Sequence, residues 1–385
     1  MIDAKANERV QKLLNELVSN GEEVGLQAAA YLNGELAIDA WAGIADEKSG
    51  RKVDGDTLFT VFSTTKGITA TCMHILAERG KIAYDAPIAR YWPEFAANGK
   101  AGATVRHALT HKVGLPLMPD DITPEKMCDW DWMCKQLAAA APVWEPGTKT
   151  GYHAYTFGWI NGEILRRVDG RPIAKFVQDE ICKPLGIKDI YMGIPDDVEG
   201  RVATLRNAPP DPNAPVQPPD SLMRRAIPPI VGTTGDVFNR PDVRRASIPG
   251  AGGIVSARAL ARHYAMLAGL GTLGGVKVLN RERVEMARTK QTEDRDEVIG
   301  LPIPKAMGYF LGGGGMGAAM GPSSRTFGHP GAGGSIGFAD PEHRLAVGFT
   351  KNLMKGGGDP LRGAALLVSN EIRAALGITV AVGAR

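Results

Sequence analysis

Apolar residues at Val10, Leu13, Leu14 and Leu17 recur at helical spacing and predict an amphipathic helix near the start of the chain. Two apolar-rich runs follow, residues 26–32 and 35–42, with Asn33-Gly34 between them. Asn-Gly tolerates the left-handed backbone of a two-residue turn, so this stretch predicts a β-hairpin. A short strand over residues 58–62 then leads to Ser63. Over residues 67–80, Ile68, Cys72, Ile75, Leu76 and Arg79 fall on one helical face. Thr104 reads as the N-cap of a helix through Leu109. Helices are also expected over residues 129–141 and, after the Pro146-Gly147 turn, 154–168.

Eight of the residues from 208 to 230 are proline. Proline lacks an N–H and fixes φ, so a long extended surface loop is expected there. Gly252-Gly253-Ile254-Val255-Ser256 leads into a helix over 257–267, with Ser256 as its N-cap. Short strands are expected at 306–311, 326–328, 335–339 and 345–351, joined by glycine-rich turns, and a last helix at 360–376. Strands at both ends around a helical middle predict one sheet made from the two termini. The expected organisation is a discontinuous sheet-containing domain, residues 1–66 and 245–385, and a mainly helical domain, residues 67–244, carrying the proline-rich loop 208–230.

Composition narrows the class. The chain has 385 residues, 44% of them apolar, enough for a full core. A net charge of +3 from 45 basic and 42 acidic residues, with no basic run interleaved with aromatics, argues against nucleic acid as a partner. No apolar run approaches the ~18 residues of a membrane span. The first residues, Met1-Ile2-Asp3-Ala4-Lys5-Ala6-Asn7-Glu8, are charged and lack the apolar segment of a signal peptide, so a cytoplasmic protein is expected. Cys72, Cys128, Cys134 and Cys182 have no C-x-x-C spacing and read as reduced, mostly buried thiols.

Ser63-Thr64-Thr65-Lys66 carries the first candidate chemistry. Residues three apart on a helix share a face, so Ser63 Oγ and Lys66 Nζ can meet. A serine hydroxyl is a poor nucleophile until a neighbouring amine, partly desolvated, takes its proton. The second candidate is Tyr152, which follows the Pro146-Gly147-Thr148 turn. A phenol beside ammonium groups has its pKa lowered and can relay a proton. The third is Phe327-Gly328-His329-Pro330-Gly331-Ala332-Gly333-Gly334-Ser335, a glycine-rich strand edge that a substrate can approach closely. Its N–H groups can complete an oxyanion hole with the N–H of Ser63, and His329 can hydrogen-bond a substrate or the tyrosine.

This order of elements resembles serine β-lactamases and penicillin-binding proteins, and in detail the class C β-lactamase-like branch with its family VIII carboxylesterases. Arg106-His107-Ala108-Leu109-Thr110-His111-Lys112-Val113-Gly114-Leu115, Tyr152-His153-Ala154-Tyr155-Thr156-Phe157-Gly158-Trp159 and Gly328-His329-Pro330-Gly331 extend the resemblance over nearly the whole chain. It implies an α/β fold of the α+β type: an antiparallel sheet flanked by helices, plus a helical domain, with the site in the cleft between. It implies Ser63 as nucleophile, Lys66 and Tyr152 as the proton-handling pair, and the N–H groups of Ser63 and Ala332 as oxyanion hole. His329 and Gly331 become candidate substrate contacts, and no metal or cofactor is expected.

Two departures bear on the substrate. Ala154 stands where the β-lactamase motif Tyr-x-Asn has asparagine, and His329 where Lys-Thr-Gly has lysine. Without them an anionic amide loses contacts of roughly 1.5–3 kcal/mol each, whereas a neutral ester needs neither. The expected activity is therefore a serine carboxylesterase acting on short-chain esters, small-molecule substrates, through an acyl-Ser63 intermediate, with weak β-lactam turnover. The alternatives are an acyltransferase of the same fold, a β-lactamase or D-amino-acid peptidase, and a catalytically silent scaffold.

Other motifs read as structure. Gly333-Gly334-Ser335-Ile336-Gly337 satisfies G-x-S-x-G, but a turn and another strand follow it instead of a helix, with His343 as the histidine downstream. His107 and His111 sit four apart without the H-E-x-x-H glutamate, so zinc is not expected and His111 is assigned a backbone hydrogen bond. Gly312–Gly315 lacks the Lys-Ser/Thr of a phosphate loop and reads as a hairpin loop, and His153 as a residue near the cleft.

Overall fold

The computed structural model describes residues 2–209, 217–355 and 363–379. Asn33 and Gly34 take φ of 53° and 84°, the doubly left-handed turn expected for this pair. They join β1 (Gly25–Leu32) to β2 (Glu35–Asp46) as an antiparallel hairpin. β3 (Arg51–Lys52) extends it on one side. From the C-terminal part come β4 (Phe310–Leu311), β5 (Phe327–Pro330), β6 (Ile336–Asp340) and β7 (Leu345–Lys351). The seven-stranded sheet runs β4-β5-β6-β7-β1-β2-β3, antiparallel throughout. The two ends of the chain meet where β7 pairs with β1, Leu345 opposite Leu32.

Five helices frame the sheet and the site: α1 (Ala4–Ser19), α2 (Thr65–Glu78), α3 (Thr156–Asp169), α4 (Ala257–Ala268) and α5 (Ala364–Ala375). α1 lays Ala6, Val10, Leu14 and Leu17 on the sheet, with Leu13 partly buried beside them. α4 covers β1 and β7, and α5 lies on α1, tied by Arg9 to Glu371 at 2.8 Å. Ser256 caps α4, its Oγ accepting from Ala259 N at 3.3 Å. Among the described residues no helix is long and apolar enough to cross a membrane.

Several expectations need correction. The strand before Ser63 shrinks to Phe59–Thr60 and belongs to a separate three-stranded sheet with Gly253–Val255 and Ile190–Met192. It stops there because Phe62 turns into the left-handed region at φ 47°. The helix after Ser63 is not one-sided: every residue from Thr65 to Ala77 is buried. Its polar side chains survive burial by bonding, Thr71 Oγ1 to Gly67 O at 2.9 Å and Thr69 Oγ1 to Pro249 O at 2.8 Å. His74 bridges Tyr84 OH at 2.8 Å and Met307 O at 3.0 Å.

Part of the proline-rich stretch, residues 210–216, and the expected start of the last helix at Pro360 lie outside the described residues. The remainder of the stretch is not wholly extended. Leu222–Ala226 form a helical turn capped by Ser221, and Pro229–Val231 a 3₁₀ turn. No proline falls within 220–227, and Pro229 opens its turn where a missing N–H costs nothing. Short helices at Pro124–Cys128, Pro241–Arg245 and Arg281–Ala287 were not anticipated, being too short for periodicity to declare.

A Cβ at Gly34 would meet Leu273 Cδ1 at an ordinary 3.5 Å, so Gly34→Ala tests backbone strain without a clash. It is expected to lower unfolding free energy by about 1 kcal/mol, measured by urea denaturation.

Candidate active site

Ser63 sits in the 3₁₀ turn Phe62–Thr64 that runs directly into α2, and is partly accessible while its neighbours are buried. The left-handed Phe62 costs about 1–2 kcal/mol and fixes the direction in which Ser63 leaves the strand. Thr65 holds this turn: its Oγ1 donates to Phe62 O at 2.5 Å and accepts from Gly253 N at 2.9 Å.

Lys66 lies one helical turn beyond, fully buried, with Nζ 3.0 Å from Ser63 Oγ. Nζ also lies 2.7 Å from Ala154 O and 2.7 Å from Gly250 O. Burial pushes its pKa well below the usual lysine value, and no carboxylate is among the influences that would restore the charge. A neutral amine has two N–H donors and one lone pair. In that form the two carbonyls would take the donors and leave the lone pair for the Ser63 hydroxyl. Glycines make this convergence possible: a Cβ at Gly158 would overlap Gly250 N, and one at Gly250 would lie 2.5 Å from Tyr155 O.

Tyr152 is buried against His111, Phe310 and His329, with ring centroids 5.2, 5.9 and 6.1 Å away. Lys66 Nζ stands 4.8 Å from its ring centroid. The expected depression of its pKa does not occur. Burial drives it up, a hydrogen bond with Ser63 pulls the other way, and the charge of Asp296 adds a smaller upward push. The physical reason is desolvation: no ammonium is among the influences on the phenol, and burial outweighs the one contact that favours its ionisation. Tyr152 is a protonated phenol, a donor.

The glycine-rich element approaches from β5. A Cβ at Gly331 would overlap Val61 O and sit 2.9 Å from Thr64 Oγ1, so glycine here permits contact with the Ser63 turn. The position a side chain would take at Gly331 is filled by protein, so any substrate contact of this residue is made by its backbone. Thr64 Oγ1 donates to Ser335 O at 3.2 Å and fastens the two segments. Ala332 opens a 3₁₀ turn, Ala332–Gly334, at this junction. His329 is 1% exposed and uncharged: burial, then Lys66, lower its pKa well below the usual value. Its Nδ1 bonds Pro330 O at 2.7 Å.

The other candidates have structural duties. Ser335 is buried and extended, φ −62° and ψ 147°, its Oγ accepting from Lys351 N at 3.3 Å. His107 completes a capping box: its Nδ1 accepts from Thr104 N at 3.3 Å while Thr104 Oγ1 accepts from His107 N at 3.2 Å. His111 Nδ1 accepts from His153 N at 3.1 Å, the backbone bond assigned to it. His153 in turn accepts from Leu115 N at 3.0 Å and is pushed down to about 4 by burial. His343 pairs with Asp340 at 2.8 Å on the far side of the sheet strand. Two residues at the site escaped the sequence reading, Asp296 and Lys305, 2.7 Å apart and buried behind Tyr152. Asp296 lies in the charged run Glu293-Asp294-Arg295-Asp296-Glu297, which reads as a solvated loop; no local signal marks it.

The model of the family described as Beta-lactamase matches residues 10–370. The chain belongs to the Beta-lactamase family. It is 36% identical over 343 residues to the esterase/beta-lactamase LipL of Mycobacterium tuberculosis (strain ATCC 25618 / H37Rv), covering 84% of this chain and 76% of that protein. A penicillin-binding protein homologue from Caulobacter crescentus superposes with a TM-score of 0.88 at 34% identity, covering 97% of this chain and 99% of that one. A family VIII carboxylesterase superposes with a TM-score of 0.86 at 34% identity, with the same coverage of each chain, 97% and 99%. The fold is that of β-lactamases and transpeptidases, and the protein is a serine hydrolase of this family.

Gly331→Ala forces the glycine-rich element away from the Ser63 turn without touching a titrating side chain. It is expected to lower kcat by about 10²-fold, the cost of an ångström-scale misplacement, with the thermal midpoint little changed. Steady-state kinetics beside thermal unfolding read the two effects separately.

Proposed function

We propose that the protein is a carboxylesterase that hydrolyses short-chain esters through an acyl-Ser63 intermediate. The observation that carries this reading is the buried Lys66 amine, 3.0 Å from Ser63 Oγ and 2.7 Å from two carbonyls, with burial driving it toward its neutral form. Its free lone pair takes the Ser63 proton as Oγ attacks the ester carbonyl carbon. The resulting ammonium keeps the two carbonyl bonds and gains a third donor, which points back to the oxygen it deprotonated. The N–H groups of Ser63 and Ala332 hold the oxyanion of the tetrahedral intermediate. On collapse the carbon–alkoxy bond breaks, and the leaving oxygen takes the proton of Tyr152, which Lys66 restores. Water then attacks the acyl carbon, giving its proton to the Lys66–Tyr152 unit, and Ser63 leaves with its proton regained.

Esters are favoured over β-lactams by charge. A neutral, buried His329 cannot pair with a carboxylate, and Ala154 presents a methyl where an acylamido group would need a hydrogen bond. The nearby Lys305 is engaged by Asp296 at 2.7 Å. The 34% identity to a family VIII carboxylesterase supports the same choice.

Ser63→Ala is expected to abolish hydrolysis of p-nitrophenyl esters of graded acyl length, and Ser335→Ala to leave it within a few-fold. A fluorophosphonate probe should place its adduct on the Ser63 peptide. A dead, folded Ser335→Ala protein beside an active Ser63→Ala one would sink the assignment.

In the wild type, kcat/KM for p-nitrophenyl butyrate should exceed that for a penicillin, and Ala154→Asn with His329→Lys should shift the ratio toward the lactam. The two restored contacts correspond to at most about 1.5–3 kcal/mol each. A penicillin value at or above the ester value rejects the esterase reading in favour of a β-lactamase.

A further inference from the structure

The Tyr152 segment is held from behind by an ion pair that the chemistry above does not use. Asp296 and Lys305 have side chains 0% and 1% exposed. Asp296 Oδ1 accepts from Tyr152 N at 3.0 Å, Val298 N at 2.9 Å and Ile299 N at 2.8 Å, while Oδ2 takes Lys305 Nζ at 2.7 Å. Lys305 Nζ also donates to Thr150 Oγ1 at 3.0 Å, and Glu297 N to Thr150 O at 2.9 Å. Both ends of Thr150-Gly151-Tyr152 are therefore tied to one buried pair, whose partners come from a loop more than a hundred residues later. Apolar residues of similar volume would stabilise a core as well or better. What they would not provide is an acceptor for the Tyr152 N–H and a fixed negative charge beneath the phenol.

We propose that Asp296, held by Lys305, is the positioning residue for Tyr152: by accepting the Tyr152 main-chain N–H it fixes the tyrosine before Ser63. This rests on the reading of Tyr152 as donor to the leaving alcohol. The groups facing Tyr152 are Ser63 and Lys66 from α2, His111 and His153 from the segments around it, and His329 from β5. Burial drives Lys66 and the three imidazoles toward their uncharged forms. Behind the ring, the charged groups are Asp296 and Lys305, with Lys112 and Asp294 beyond Lys305. Burial is the main cause that keeps the phenol protonated, and the charge of Asp296 adds to it.

The test compares Asp296→Ala, Asp296→Asn and Lys305→Met, with kcat expressed per site titrated by fluorophosphonate so that misfolded molecules do not count. Asp296→Ala removes the acceptor for the Tyr152 N–H and should lose about 10²-fold in kcat, with KM changed only a few-fold, as a misplaced proton donor would. Asp296→Asn keeps a carbonyl oxygen for that N–H and should restore most of the lost kcat, and Lys305→Met should fall between the two. An unchanged kcat in Asp296→Ala, or an Asp296→Asn protein as slow as Asp296→Ala, would overturn the proposal. If the wild type fails to label at Ser63, it is the hydrolase reading that fails instead.

Discussion

The burial of one amine organises this molecule. An ammonium group taken out of water costs several kcal/mol unless it is paired, and Lys66 has no carboxylate to pair with. Burial drives it toward its neutral form, and even a neutral amine in a dry core needs acceptors for two N–H groups. These come from Ala154 and Gly250, 88 and 184 residues further along the chain. The requirement binds the N-terminus of α3 and the approach to the small Gly253–Val255 strand against α2. It also explains why α2 is buried on every side, and why Gly158 and Gly250 must be glycine where their backbones touch.

The same dryness spreads to the neighbours. Tyr152, His111, His153 and His329 are buried together, and burial pushes each toward its uncharged form: the phenol up, the imidazoles down. A cluster of neutral donors and acceptors suits a proton passed from serine to amine to leaving oxygen, since no step begins by neutralising a stray charge. It suits a neutral substrate for the same reason. A cleft built around an ammonium on β5 would favour a carboxylate; here the position holds an imidazole stacked between Phe310 and Tyr152, centroids 4.5 and 6.1 Å away.

Backbone geometry supplies the remaining order. A left-handed Phe62 and a Gly331 pressed against Val61 and Thr64 place the Ser63 turn and the glycine-rich element in direct contact. Thr64 and Thr65, the two residues inside the Ser-x-x-Lys motif, each bond out of the turn, Thr64 donating to Ser335 O and Thr65 accepting from Gly253 N. The motif's variable positions are thus what anchor its fixed ones.

Local physics alone determined much of this. The Asn33-Gly34 turn, the caps at Thr104 and Ser256, the apolar face of α1 and the meeting of Ser63 with Lys66 each depend on residues within a few positions of one another, so the sequence order declares them. Ser63, Lys66 and Tyr152 were legible as candidates for that reason, and the context of Ser335 was already wrong. Burial was not legible, because it is a property of what packs around a residue from elsewhere in the chain. Only the tertiary structure decided that α2 has no wet face, that burial drives Lys66 toward its neutral form, that Tyr152 is a held phenol with its pKa raised instead of lowered, and that Gly331 lies against the Ser63 turn. Asp296 and Lys305 show the limit most clearly. Nothing adjacent to either marks it, and they acquire a meaning only when the fold removes water from both and sets them beneath a tyrosine 144 residues before Asp296.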